Sequence, residues 1–291
     1  MRPLDGAAAL AVIVIWGLNF VVGKIGVGQI PPLMLMSLRF ALVAALLSPF
    51  LRRPGRSWRP VIAVSVVLGG LHFGLLFTGL RGVDAGPAAI ALQLTAPFSA
   101  ILAAVFYRER LGPLQILGMA VAFAGVALLA GAPSTATSLA HLSLVVLAAL
   151  AWAYANILIK RLGGINVFVL NAWVALLALP QLFAASLWLE EGQLAAMAAA
   201  DWRGWGAIVY MAVGASITAY GLWYYLIAKY EVNRIVPLTL LSPVLAVVFA
   251  IAILDEPLTV RIVVGGLVTI AGVAMIQFLR PSAPPAAGQP S

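Results

Sequence analysis

About ten runs of roughly 20 apolar residues follow one another along this 291-residue chain, and the turns between them are too short to hold a soluble domain. A helix rises about 1.5 Å per residue, so each run is long enough to cross the hydrocarbon core of a bilayer. The runs lie at 7–25, 32–51, 60–80, 87–106, 113–131, 140–160, 166–189, 205–227, 235–254 and 260–279. Hydrophobic residues make up 64% of the chain and charged residues 9%, with a mean hydropathy of +1.09, so no polar shell exists to cover a water-soluble core. The sequence therefore predicts an all-α polytopic membrane protein. The first run has no small-residue cleavage pattern near Trp16, Gly17 and Asn19 and reads as a retained span. Cysteine is absent, which excludes disulfides and thiolate metal or redox chemistry.

The net charge of +8 does not point to nucleic acid. Lys and Arg sit mostly in short turns, and no basic stretch interleaved with aromatics offers a phosphate-binding surface. Their distribution sets an orientation instead. Arg2, Arg52, Arg53, Arg56, Arg59, Arg108, Arg110, Lys160, Arg161, Lys229, Arg234 and Arg280 fall on one side, against Lys24, Arg81, Arg203 and Arg261 on the other. The positive-inside bias then predicts both termini in the cytoplasm. Residues 280–291, rich in Pro, Ala and Ser, read as a disordered tail.

An internal repeat organises the spans. WGLNFVVGK at 16–24 parallels WAYANILIK at 152–160, with Trp and Lys eight apart in both. Farther along, Glu109, Leu111, Gly118, Gly125 and Val126 fall 147 positions before Glu256, Leu258, Gly265, Gly272 and Val273. Pro97 and Pro243 correspond within one residue. The units expected are 5–131 and 140–279. Five spans in each force the second copy into the membrane upside down, an arrangement that places a site between the copies near mid-depth and permits alternating access.

WGLNFVVGKIG at 16–26, PPLMLMSLRF at 31–40, ERLGPLQILGMAVAFAGV at 109–126 and DEPLTVRIVVGGLVTIAGV at 255–273 resemble the drug/metabolite transporter superfamily, and within it the ten-span EamA-type exporters. The resemblance runs from about Leu4 to Leu279. It implies a secondary transporter, and it is nearest to bacterial exporters of O-acetylserine, cysteine and related amino-acid metabolites. Similar members export aromatic amino acids, threonine or amphiphilic drugs, so that alternative stays open.

The polar residues inside the spans are the candidates for a substrate site. Arg39 lies about 10 Å into its span, where a charge is expensive unless it snorkels, packs against carbonyls or meets a substrate carboxylate. Asn19 and Asn156 occupy corresponding helices, as interhelical glue or as amides for the ammonium and carboxylate of a zwitterion. Trp16 and Trp152 lie too deep for an interfacial belt and would wall the cavity, to which Gln93 adds a polar contact. Tyr220, Trp223 and Tyr224 are either further lining or a packed stripe. Pro97 and Pro243 would kink the fourth and ninth spans as gates or as static bends. His72 is a packing residue or a proton relay. Gly118, Gly125, Gly265, Gly272, Gly70 and Gly74 license close helix approach, either within the chain or in a homodimer.

No phosphate-binding loop, HExxH motif or pair of intramembrane aspartates is present, and Ser216 has no evident base beside it, so enzyme chemistry is not expected. Nothing in the sequence asks for a cofactor or metal. The partners expected are a small molecule and the lipid bilayer. All nine acids fall at span ends or in turns, leaving His72 as the intramembrane group that titrates near neutrality.

Overall fold

A computed structural model describes residues 2–52, 58–130, 138–162, 165–230 and 235–278. The expected tail, together with Arg53, Arg56, Arg234 and Arg280, lies outside the described residues. All regular structure among the described residues is helical: α1 (Pro3–Val27), α2 (Pro32–Leu46), α3 (Trp58–Arg81), α4 (Ala85–Tyr107), α5 (Pro113–Ala130), α6 (Leu139–Leu162), α7 (Val167–Leu189), α8 (Trp202–Lys229), α9 (Pro237–Leu254) and α10 (Val260–Phe278). Nine of them are long and apolar enough to cross a bilayer, and α2 is shorter. A short helix, Gln193–Ala199, joins α7 to α8.

The second span differs most from expectation. It reads as 32–51 in the sequence, but its α-helix ends at Leu46 and a 3₁₀ turn covers Ser48–Phe50. Pro49 has no N–H to donate and its ring collides with the carbonyl four residues back, so the α-helix stops before it. Apolar length alone does not register that break.

The packing repeats under exchange of each helix with the one five places on. α5 packs along α10, α2 along α7 and α4 along α9. α1 packs on α8 and α9, as α6 packs on α3 and α4, and α2 meets α8 as α7 meets α3. Irregularities repeat as well. α3 and α8 each carry a π-helical segment, Ser65–His72 and Tyr210–Ala219. α4 breaks at Gln93 and Leu94, four and three residues before Pro97, and α9 opens with a 3₁₀ segment Val236–Leu240 before Pro243. α4 and α9 end on left-handed, non-glycine residues 147 positions apart, Arg108 at φ 55° and Asp255 at φ 54°.

The glycines of α5 and α10 are spent inside the chain. A Cβ on Gly118 would lie 2.8 Å from the Gly272 carbonyl oxygen, and one on Gly125 would lie 2.7 Å from that of Gly265. Contact this close between backbones requires glycine. Gly70 and Gly74 face side chains of α7 instead, a Cβ lying 2.9 Å from Gln181 Oε1 and 3.3 Å from Leu182 Cδ2 respectively. These faces are therefore intramolecular and supply no surface for a second copy.

Candidate functional site

Arg39 of α2 is 2% exposed, a full cation enclosed by protein. Its Nε and Nη2 donate to the Ser216 hydroxyl at 3.3 and 2.9 Å, and Nη1 lies 3.7 Å from the Met36 sulfur. The Phe73 ring covers the guanidinium with its centroid 4.6 Å from Cζ, a cation–π contact that partly replaces an anion. Among the described residues the salt bridge found is Lys229–Asp5 at the far end of α1, so Arg39 has no carboxylate partner.

Ser216 reaches Arg39 because α8 is π-helical there. The wider turn brings the Ser216 hydroxyl to the carbonyl five residues back, Met211, to which it donates at 3.0 Å. Asn171 of α7 donates through Nδ2 to the Ser216 carbonyl at 2.9 Å. Ser216, which has no evident partner in the sequence, is thus tied to α2, α7 and its own helix.

A line of rings continues from Arg39. His72 closes the π segment of α3 and meets Phe73 edge-on at 4.7 Å and the tilted ring of Trp152 of α6 at 4.9 Å. Its Nδ1–H donates to the Ala148 carbonyl at 2.9 Å and the residue is 1% exposed. This geometry makes His72 a packed strut between α3 and α6. On the opposite side, Trp16 of α1 meets Tyr220 at 5.6 Å and Trp223 at 5.4 Å, and Tyr220 stacks on Tyr224. Trp152 thus meets the last residue of the π segment in α3, and Trp16 meets the first residue after the π segment in α8, each in the other half of the chain. Ser216 and Tyr220 lie four residues apart on α8, so α8 borders both clusters.

The remaining candidates separate. Asn19 is half-buried and its Oδ1 is buried without a hydrogen-bond partner among the described residues. Asn156 is exposed, one turn beyond Trp152. Their expected equivalence fails by register: the tryptophans are 136 positions apart and the asparagines 137, and one residue turns a helix by about 100°. Gln93 is half-buried at the break in α4 and makes no side-chain hydrogen bond among the described residues, and Pro97 and Pro243 are buried at their breaks. The sequence reading missed Phe73 and Asn171 and left Ser216 without a role. A signal for Phe73 was present: FGLLF at 73–77 precedes YGLWY at 220–224 by the same 147 positions as the glutamates.

The two ends of the bundle differ. At the Lys24 end, Lys24 Nζ donates to the carbonyls of Leu80 at 2.9 Å and Val83 at 2.7 Å. Glu256 accepts from the backbone N–H of Ala85 at 2.6 Å and Gly86 at 3.1 Å, capping α4 where the helix dipole favours an anion. Burial nevertheless pushes the Glu256 carboxyl above its ordinary value. Glu190 caps α2 through Leu33 and Met34, and Gln29 donates to Asp201 at 2.8 Å. All of Ala85–Leu92 is buried, whereas Pro97 is the buried residue of Thr95–Tyr107. The Lys24 end is closed by these contacts, whereas at the Lys160 end Asp5 accepts from Tyr225, Lys229 and Tyr230, tying the start of α1 to the end of α8, and the second half of α4 is largely unburied.

A bundle of membrane-spanning helices, repeated in pattern and enclosing a buried arginine with no carboxylate beside it among the described residues, has the build of a carrier of small molecules. The model of the EamA-like transporter family matches residues 6–131 and again 139–278, and the chain belongs to that family. A probable amino-acid metabolite efflux pump of Escherichia coli is 35% identical over 287 residues, covering 96% of each chain. A probable terminal-alkyne amino-acid exporter of Streptantibioticus cattleyicolor is 30% identical over 77% of this chain and 75% of its own. A solved crystal structure, 18% identical, covers 96% of this chain and 98% of its own with a TM-score of 0.64, which shows the fold alone.

Proposed function

We propose that this transporter exports small zwitterionic amino-acid metabolites, of the type of O-acetylserine or cysteine, from the cytoplasm of a bacterial cell by alternating access. Residues 5–131 and 140–279 act as two inverted copies, both termini lie in the cytoplasm, and the Lys24 end faces outward. The twelve-to-four bias of Lys and Arg between the two sides supports that orientation. The reading rests above all on Arg39: a buried cation without a carboxylate is costly, and a substrate carboxylate arriving at mid-depth relieves that cost. Asn19, Gln93 and Asn156 supply amide contacts along the path, Trp16 and Trp152 wall it, and the breaks before Pro97 and Pro243 let α4 and α9 bend. His72 holds Trp152 in place. Relatives named for amino-acid metabolite and amino-acid export agree with this cargo.

One observation favours a second cargo class. The cluster of Trp16, Tyr220, Trp223 and Tyr224 is large enough to stack an aromatic or hydrophobic side chain. Counterflow in proteoliposomes across a panel of amino acids, their acetyl esters, aromatic amino acids and amphiphilic cations separates the two. Exchange of O-acetylserine or cysteine, abolished by Arg39→Gln, is the expected result. Exchange of cations that survives Arg39→Gln would overturn the carboxylate reading.

A further inference from the structure

Lys24 does more than end α1. The last carbonyls of a helix have no intrahelical donor and carry the negative end of its dipole, so a cation placed there binds strongly. Lys24 Nζ sits among three carbonyls at the α3–α4 turn, those of Leu80, Val83 and, at 3.4 Å, Arg81. Asp84 and Glu256 stand within electrostatic reach of it. Beneath this contact the first turns of α4 are buried.

The repeat places the same parts at the opposite end. Lys160 stands 136 positions after Lys24, and Ile227, Ala228 and Tyr230 stand 147 after Leu80, Arg81 and Val83. Glu109 corresponds to Glu256. There, however, Lys160 and Glu109 are not engaged in this way, and the end of α8 is tied instead to Asp5 through Tyr225, Lys229 and Tyr230. Lys160 is exposed and rests over the Tyr107 ring, 4.2 Å from its centroid, and Glu109 is exposed and makes no hydrogen bond among the described residues. Two segments of like sequence thus occupy two different arrangements in one molecule.

From this juxtaposition we infer that Lys24 and Lys160 form a reciprocal gate, engaged one at a time. In the state described, Lys24 closes its end; in the alternative state Lys24 is released and Lys160 takes the carbonyls of Ile227, Ala228 and Tyr230. The inference deepens the carrier reading and rests on it, but its test needs no substrate.

The chain has no cysteine, so one introduced thiol is the sole target for a maleimide. Ala88→Cys reports on the buried part of α4, and Asn156→Cys on the open half of α6. Both are labelled in nanodiscs, which expose the two faces equally. Lys24→Ala is expected to speed labelling at position 88 by about tenfold and to slow it at position 156, since charge-assisted contacts are worth about that factor or more. Adding Lys160→Ala to Lys24→Ala should return both rates toward the parent values. Faster labelling at 88 without slowing at 156 means local fraying and overturns the gate, as does no change at either position. Failure of Lys160→Ala to reverse the effect overturns reciprocity. If Lys24→Ala does not fold, Lys160→Ala alone, which breaks no hydrogen bond among the described residues, is expected to fold and to slow labelling at 88; faster labelling would refute the inference. An intact labelling exchange beside a failed counterflow panel leaves the gate standing and removes the cargo assignment.

Discussion

Ser216→Ala probes the contact on which the centre of the bundle depends. The substitution removes the acceptor of two guanidinium N–H groups and the donor to the Met211 carbonyl. A hydrogen bond to a charged group contributes about 1.5–3 kcal/mol and a neutral one about 1. The two Arg39 contacts share one oxygen and the longer is 3.3 Å, so they count once, giving a loss of about 2.5–4 kcal/mol. Neutral interhelical pairs inside membranes average about 0.6 kcal/mol, which sets the floor. Thermal unfolding in detergent, followed by tryptophan fluorescence, should show a fall in Tm of several degrees. The coupling is isolated by a double-mutant cycle with Arg39→Met, in whose background Ser216→Ala should lose only the Met211 contribution. Ser216→Thr, which keeps the hydroxyl, should recover most of the loss. A cost below the membrane floor, or the same cost with and without Arg39, would refute the claim that Ser216 holds the guanidinium.

Gly118→Ala forces a Cβ to 2.8 Å from the Gly272 carbonyl and should lower Tm, whereas Gly206→Ala, with nothing within 4 Å, should raise stability by about 0.5–1 kcal/mol. Paired thermal melts check both, and equal effects would contradict the close α5–α10 approach. Asn19→Ala removes an amide whose oxygen already lacks a partner, so Tm should hold or rise while counterflow falls at least about tenfold; a parallel loss of both would make Asn19 a packing residue. The Gln29 amide, and then the Arg203 and Gly204 N–H groups, hold the Asp201 carboxyl below its ordinary 3.8. A carboxyl so depressed contributes stability above its unfolded value and loses it as pH falls through the lower folded one. Wild type should therefore exceed Asp201→Asn in Tm at about pH 6, with the gap closing below about pH 4; a gap independent of pH would assign the contact to the amide alone.

The membrane class, the spans, the repeat and the family were legible along the chain because each rests on local quantities. Apolar length decides a span, and recurrence of Glu109 and Gly118 as Glu256 and Gly265 decides the repeat. The short α2 escaped because one proline outweighs apolar length. Partner choice was not legible. Arg39 and Ser216 are 177 positions apart and meet only because a π segment widens α8, and nothing local in YMAVGASITA announces that turn. Asn19 and Asn156 looked alike in sequence and differ in environment, since a one-residue shift in register swings a side chain to another face. The sequence also left the α5 and α10 glycines free to pack within the chain or between copies, and only their observed backbone contact chose. Composition and period thus determined which segments enter the bilayer and how they repeat. Which polar groups face one another was decided by packing, because in lipid a buried polar group has no water to bond and depends on what the surrounding protein presents.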